Sequence, residues 1–252
     1  MGISANSTDE VIGQLSEIID SSSQLGSRLG YFAALYRKVS IKVKEGIGEG
    51  LFEDGPRMER LDVVFANRYL EALENHRLGK PTTRSWQIAF DAASRWWPIV
   101  VQHLLLGMNA HINLDLGIAA ARACPGDSLS GLKQDFEKIN QILASLVSGV
   151  EHELERVWPM MRLLDQVSGK TDEAIINFSM EKAREHAWEV AGRLAPLGSE
   201  PQAVEIDLID AETALIGQAV RHPGFLVSTA LRPIRLGERR SISQIISMLT
   251  EC

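Results

Sequence analysis

Residues 107–117 read GMNAHINLDLG, and this stretch decides how the fold is interpreted. It lies in a long apolar run that begins WWPIVVQHLLL and ends GIAAARACP, yet every second position is polar: Asn109, His111, Asn113 and Asp115. Polar groups in a hydrophobic interior cost free energy unless they are paired. The stretch therefore predicts a buried polar centre.

Helical spacing divides these polar residues between two sides of one helix. Each residue of an ideal helix turns about 100°, so His111 and Asp115 share one side, and Asn109 and Asn113 lie on nearly the opposite side. Both sides also carry apolar residues, which predicts a central helix, about 98–123, surrounded by other helices. We therefore expect either a distorted helix here or two polar sites back to back.

Gly107 stands inside this predicted helix. A glycine in a helix interior costs roughly 1 kcal/mol relative to alanine, and a close contact with another helix would compensate for that cost. We expect such a contact at Gly107.

The rest of the chain also favours helices, with neither strand alternation nor a fixed repeat. The fold class is predicted to be all-α, an irregular multi-helix array of roughly eight to ten helices around one long central helix. We interpret residues 1–252 as one helical domain, with residues 1–8 and 232–252 peripheral. Besides the central helix, the main predicted helices span residues 56–78, 82–97, 128–158, 171–194, 206–222 and 241–250.

Composition limits the partners that the sequence predicts. The 252 residues are 45% apolar and 23% charged, with a net charge of −7, which argues against a surface that attracts nucleic acid. The N-terminus lacks the pattern of a signal peptide, and the apolar run 96–106 is shorter than a membrane span of ~20 residues. Only two cysteines, Cys124 and Cys252, are present, so no disulfide framework is expected. We expect a soluble cytoplasmic protein, monomer or homodimer, without a nucleic-acid or membrane partner.

His111 and Asp115 are the candidate catalytic residues, and two interpretations stay open. They could be ligands of a divalent metal, or a histidine oriented by a carboxylate for general-base chemistry. They could instead be a buried, mutually satisfied pair that fixes the helix register. Asp62 and His103 are the candidates to complete a metal site.

The polar residues elsewhere have weaker functional claims. Asn109 and Asn113 could bind polar groups of a cofactor or substrate, although structural hydrogen bonds across a helix interface explain them better. Asn67 and Glu71 are four apart and could face the central helix, whereas Arg68 and Glu71 are best explained as a solvated face. The motif EHELE at 151–155 predicts an exposed charged helix end, and the arginines of 232–240 predict a solvated tail.

Five stretches together resemble a known family. LYRKV, FANRYLEAL, SWQIAF, GMNAHINLDLG and AREHAWEVAGRLA are similar to a bacterial family of uncharacterised helical proteins, catalogued as a domain of unknown function. The resemblance covers roughly residues 32–194 and is most specific in the central stretch. It implies an all-helical domain and again points to the polar residues of 109–115, but it implies no reaction.

Two hypotheses for the function follow. The first is a non-catalytic domain that binds a small-molecule ligand or a partner around a buried polar centre. The alternative is a metal-assisted hydrolase that uses the His111–Asp115 pair. In an enzyme, His111 should face a solvent-connected cavity with another ligand-type residue within metal reach, whereas a structural network should be closed, dry and fully paired.

Overall fold

The computed structural model describes residues 4–139, 142 and 180–251, and every regular element in these ranges is helical. The predicted all-α fold class is confirmed. The α-helices are α1 Thr8–Leu25, α2 Leu29–Gly48, α3 Gly55–Arg77, α4 Arg84–Ala93, α5 Val100–Met108, α6 Gly117–Ala123, α7 Met180–Leu194, α8 Ser199–Arg221, α9 Phe225–Gly237 and α10 Ile242–Glu251. A π-helix, Asn109–Leu116, joins α5 to α6, and a 3₁₀-helix, Gly126–Leu132, follows α6.

Local sequence signals set several helix ends. The Ser7 hydroxyl accepts a hydrogen bond from the backbone N–H of Glu10 and caps α1. The same helix ends at Gly26, whose φ of 62° is a left-handed conformation that favours glycine. Asp54 caps α3 by accepting from the N–H of Arg57, with Pro56 in the first turn.

α5, the π-helix and α6 follow one another directly and form one continuous central helix, Val100–Ala123. It is long and apolar enough to cross a membrane, but 94% of its most apolar stretch is buried among the other helices. Three clusters of buried apolar residues surround it, with Leu104 in the first, Leu114 in the second and Leu106 in the third. The prediction of a helix enclosed on all sides is therefore confirmed.

Two glycines let neighbouring elements approach the central helix closely. A Cβ atom at Gly107 would lie 2.5 Å from a ring carbon of Phe32 in α2, which confirms the close contact predicted there. At Gly117, a Cβ atom would lie 2.5 Å from Val190 and 2.7 Å from the carbonyl oxygen of Ala187, both in α7. Because neither position has room for a side chain, α2 and α7 pack directly against the central backbone.

The remaining helices complete the array around this core. α1, α2 and α10 pack together, and buried Ile245, Ile246 and Leu249 of α10 join the first apolar cluster. α4 and α8 pack against each other and against the π-helix. The apolar face of α9, with Val227, Leu231 and Ile234, belongs to the third cluster.

Some helix boundaries differ from those predicted. Residues 128–132 form part of the 3₁₀-helix, and helical structure continues over 133–139. α8 begins at Ser199, seven residues before the predicted start, because Pro201 is tolerated in a first helical turn. Helix α9, which contains Pro233, was not among the predicted helices. The rest of the predicted helix to 158, except residue 142, and the part of the next that spans 171–179 lie outside the described residues.

Candidate functional site

The carboxylate of Asp115 is the centre of a buried hydrogen-bond network. Nε of Arg68 in α3 donates to its Oδ1 at 2.6 Å, and the indole N–H of Trp86 in α4 donates to Oδ2 at 2.8 Å. Nδ1 of His111 makes a longer contact, 3.5 Å, with the same Oδ2. Residues from three elements therefore converge on one carboxylate, which is fully buried.

Burial and neighbouring charges determine the protonation states of Asp115 and His111. Burial alone would raise the pKa of Asp115, but the guanidinium of Arg68 and the hydrogen bonds from His111 and Trp86 hold it below its usual value. Burial lowers the pKa of His111, and Asp115 offsets only part of that effect. At neutral pH the site therefore contains an ionised Asp115 paired with Arg68 and a neutral His111.

The tautomer of His111 follows from the neighbouring carboxylate. An ionised carboxylate can only accept hydrogen bonds, so Nδ1 of His111 carries the hydrogen and donates it to Asp115. The other ring nitrogen, Nε2, is then a bare acceptor. It is buried and has no hydrogen-bond partner among the residues that the structure describes.

Aromatic rings enclose the imidazole of His111. Phe65 stacks on it with 3.6 Å between ring centroids, and Tyr36 and Phe32 meet it edge-on at 4.4 Å and 5.5 Å. Tyr69 and Trp86 lie at 6.2 Å and 6.0 Å. The histidine therefore stands in an apolar cage, which explains why the neutral ring is favoured.

His111 also lines a cavity of about 70 Å³ between α2, α3 and the π-helix. The wall is mostly apolar, and its polar side chains include Asp62 and Arg184. Oδ2 of Asp62 is buried without a hydrogen-bond partner among the described residues. Two residues that line the cavity, His111 and Asp62, thus each hold a buried polar atom, Nε2 and Oδ2, without a hydrogen-bond partner among the described residues.

The environment of Asp62 favours its neutral form. Burial raises the pKa of its carboxyl to about 7, against a smaller lowering by the neighbouring Thr8 hydroxyl. The sequence pattern singled out Asp62 as a partner of His111, and the structure places both in the wall of one cavity.

The two asparagines form a separate network on the other side of the central helix. Nδ2 of Asn113 donates to Oδ1 of Asn109, and Nδ2 of Asn109 donates to the carbonyl oxygen of Thr213 in α8, both at 2.9 Å. Neither asparagine lines the cavity. Both predicted alternatives therefore hold, because the helix is distorted into a π-helix and its polar residues form two sites back to back.

His103, the remaining candidate metal ligand, does not line the cavity that His111 and Asp62 line. Its ring meets Tyr31 edge-on at 5.8 Å, and its pKa falls to about 3 through burial and the nearby charges of Arg28 and Arg235. In the ranges that the structure describes, no three His, Cys, Asp or Glu side chains stand close enough together to hold a metal ion. A metal role for these residues stays a prediction.

The sequence also made predictions about three polar residues of α3: Asn67, Arg68 and Glu71. Arg68 is not on a solvated face: its side chain is only 15% exposed because it reaches Asp115. Glu71 is exposed, as predicted. Asn67 does not face the central helix, since its amide exchanges hydrogen bonds with the backbone of Ala5.

The arginine-rich segment near the C-terminus is not uniformly solvated. Arg235 is buried, forms an ion pair with Glu238 at 2.7 Å and lies over the ring of Trp96. Arg232, Arg239 and Arg240 are exposed, as predicted. The EHELE motif lies outside the described residues.

Comparison with known proteins identifies the family but no activity. No curated protein and no solved structure matches the chain. One family model, described as a family of unknown function (DUF5995), matches residues 8–223. That match contains the His111–Asp115 pair, Arg68, Trp86 and Asp62. The chain therefore belongs to the family of unknown function DUF5995.

Proposed function

We propose that the protein binds a small, mostly apolar ligand in the cavity beside His111, and that Nε2 of His111 accepts a hydrogen bond from it. The observation that carries the proposal is that His111, a residue that lines the cavity, has a buried Nε2 acceptor without a partner among the described residues. A buried acceptor without a partner costs free energy, so a site that retains one calls for a group that fills it.

The size of the cavity supports a ligand of modest dimensions. Its volume of about 70 Å³ corresponds to roughly five to seven non-hydrogen atoms, since about 10–15 Å³ holds one water. Val39, Val43 and Leu35 contribute apolar wall. A single ring or a short alkyl chain with one polar end matches this space.

A metal-assisted hydrolase has less support from the donor set. Both oxygens of Asp115 already accept hydrogen bonds, from Arg68 and Trp86. Only Nε2 of His111 and Oδ2 of Asp62 then remain as possible metal ligands in this group of residues. A catalytic zinc site uses three protein ligands. The arrangement instead supports Asp115 as the residue that holds His111 in one tautomer and orientation.

Calorimetric titration with two hexyl probes, 1-hexanol and hexylamine, tests the proposal. We expect saturable 1:1 binding of at least one probe to the wild-type protein. His111→Phe should weaken binding roughly three- to tenfold, the value of one hydrogen bond. Val39→Phe, which fills the cavity, should abolish it.

His103→Phe is the matched control. His103 is also buried in the central helix, and its Nε2 has no hydrogen-bond partner in the described part of the chain, but it does not line the cavity. This variant should bind as the wild type does. The proposal is wrong if neither probe binds, or if His111→Phe and Val39→Phe leave binding unchanged.

A further inference from the structure

The unpartnered polar atoms of His111 and Asp62, two residues that line the cavity, have the same hydrogen-bonding character. Nε2 of His111 is an acceptor, because Nδ1 carries the ring hydrogen. Oδ2 of an ionised Asp62 is also an acceptor. Asp62 lies one helical turn before Phe65 in α3, and Phe65 stacks on His111. A ligand that satisfies both atoms must supply more than one donor.

The charge of Asp62 adds a second requirement. Asp62 as a residue is only 6% exposed, and ionisation of its buried carboxyl costs desolvation free energy unless a positive charge compensates for it. With a pKa of about 7, the carboxyl is near the midpoint of its titration at neutral pH. A cation beside it would favour the ionised form.

The aromatic wall also favours a cation. Phe32, Tyr36 and Phe65 all line the cavity. The faces of aromatic rings attract ammonium and guanidinium groups within about 6 Å, and more strongly where water is excluded. Rings of this kind combined with a buried carboxylate are suited to an ammonium group.

Arg184 also lines the cavity and is positively charged, but its guanidinium contacts Phe136. Its Nη2 donates to the carbonyl oxygen of Phe136 at 2.6 Å, and the guanidinium lies 4.5 Å from the centroid of the Phe136 ring. An anionic ligand would have to compete for it with these contacts.

Resting on the proposed function, we propose that the ligand is a primary amine with an apolar chain or ring, whose ammonium group donates to Oδ2 of Asp62 and Nε2 of His111. An ammonium group supplies three donors and one positive charge. It therefore matches two acceptors, one of them ionised. The apolar part of the ligand occupies the space beside Val39 and Val43.

Three linear six-carbon probes separate the ligand classes: hexylamine, 1-hexanol and sodium hexanoate. Binding of each is measured by calorimetry at pH 7.5 to the wild type, Asp62→Asn and Glu59→Gln. We expect hexylamine to bind the wild type roughly tenfold or more tightly than 1-hexanol. Asp62→Asn should reduce that ratio to near one.

Glu59→Gln is the matched control, since it removes a negative charge one turn away on α3 from an exposed residue outside the cavity. It should retain the preference for the amine. Equal or tighter binding of 1-hexanol to the wild type overturns the amine assignment and leaves the proposed function intact. Tightest binding of hexanoate overturns it in favour of an anion at Arg184. Failure of both hexylamine and 1-hexanol to bind contradicts the proposed function itself.

Discussion

Arg68 and Asp115 form the ion pair on which the site depends. Their side chains are 15% and 1% exposed, so the charges are largely removed from water. Removing one partner of a buried pair leaves the other charge uncompensated, which is more costly than replacing both.

We expect Arg68→Met to lower the free energy of unfolding by about 3–5 kcal/mol, because Asp115 would remain buried without its cation. The double variant Arg68→Met/Asp115→Asn should recover much of that loss. Urea denaturation of each variant measures both effects.

Arg84→Met is the matched control for this prediction. Arg84 pairs with Asp207 at 3.1 Å, but both side chains are more than half exposed. An exposed ion pair contributes about 0–1 kcal/mol. A loss in Arg68→Met no larger than that in Arg84→Met would show that the Asp115 network does not hold the fold together.

The His111–Asp115 pair could be predicted from the sequence, and its main partner could not. Two residues four apart in a helix are neighbours, so spacing alone brings His111 to Asp115. Arg68 reaches Asp115 across 47 residues of chain. In the pattern of α3 it looks like a solvent-exposed residue, because the sequence does not reveal which helix packs against that face.

At the scale of elements, the candidate site is built on the π-helix, which carries both His111 and Asp115. Turns with i→i+5 hydrogen bonds are uncommon and occur frequently at functional sites. Here the π-helix comprises Asn109–Leu116 and carries all four polar residues of the opening stretch. A cavity-lining His111 and an asparagine network against α8 thus belong to the same eight residues.

Gly107→Ala tests the packing of α2 against the central helix. The added Cβ would lie 2.5 Å from the Phe32 ring, which also lines the cavity. We expect a loss of about 1–3 kcal/mol in the free energy of unfolding, because overpacking outweighs the better helix propensity of alanine. Thermal and urea denaturation measure the change.

Gly13→Ala in α1 is the control, since a Cβ there meets nothing within 4 Å. That variant should gain about 0.5–1 kcal/mol from helix propensity. If Gly107→Ala is as stable as Gly13→Ala, the close contact between Gly107 and Phe32 does not constrain the fold.

Helix α9 shows where sequence patterns fail at this scale. Proline inside a helix removes a hydrogen bond and clashes with the preceding turn, so local propensity disfavours a helix that contains Pro233. Burial of Val227, Leu231 and Ile234 against the third apolar cluster outweighs that cost. Tertiary packing of this kind is absent from local propensities.

At the scale of the whole molecule, the arrangement of helices creates the cavity. Its wall combines α2, α3 and the π-helix with Ile139 and Arg184, which are distant in the sequence. The all-α class and the enclosed central helix could be predicted from apolar spacing. The cavity could not, because it is a space left between helices whose relative positions the sequence does not specify.

The measurement that most directly tests the account is ¹⁵N NMR of His111 in selectively labelled protein, with and without hexylamine, from pH 5 to 8. Because burial lowers the pKa of His111, its ring should stay neutral below the usual value of 6.5, with hydrogen on Nδ1 and none on Nε2. Hexylamine should shift the Nε2 resonance in the direction expected for an accepted hydrogen bond and leave His103 unchanged. A His111 ring that titrates at or above the usual value of 6.5, or an Nε2 resonance that does not respond to bound hexylamine, would contradict the account.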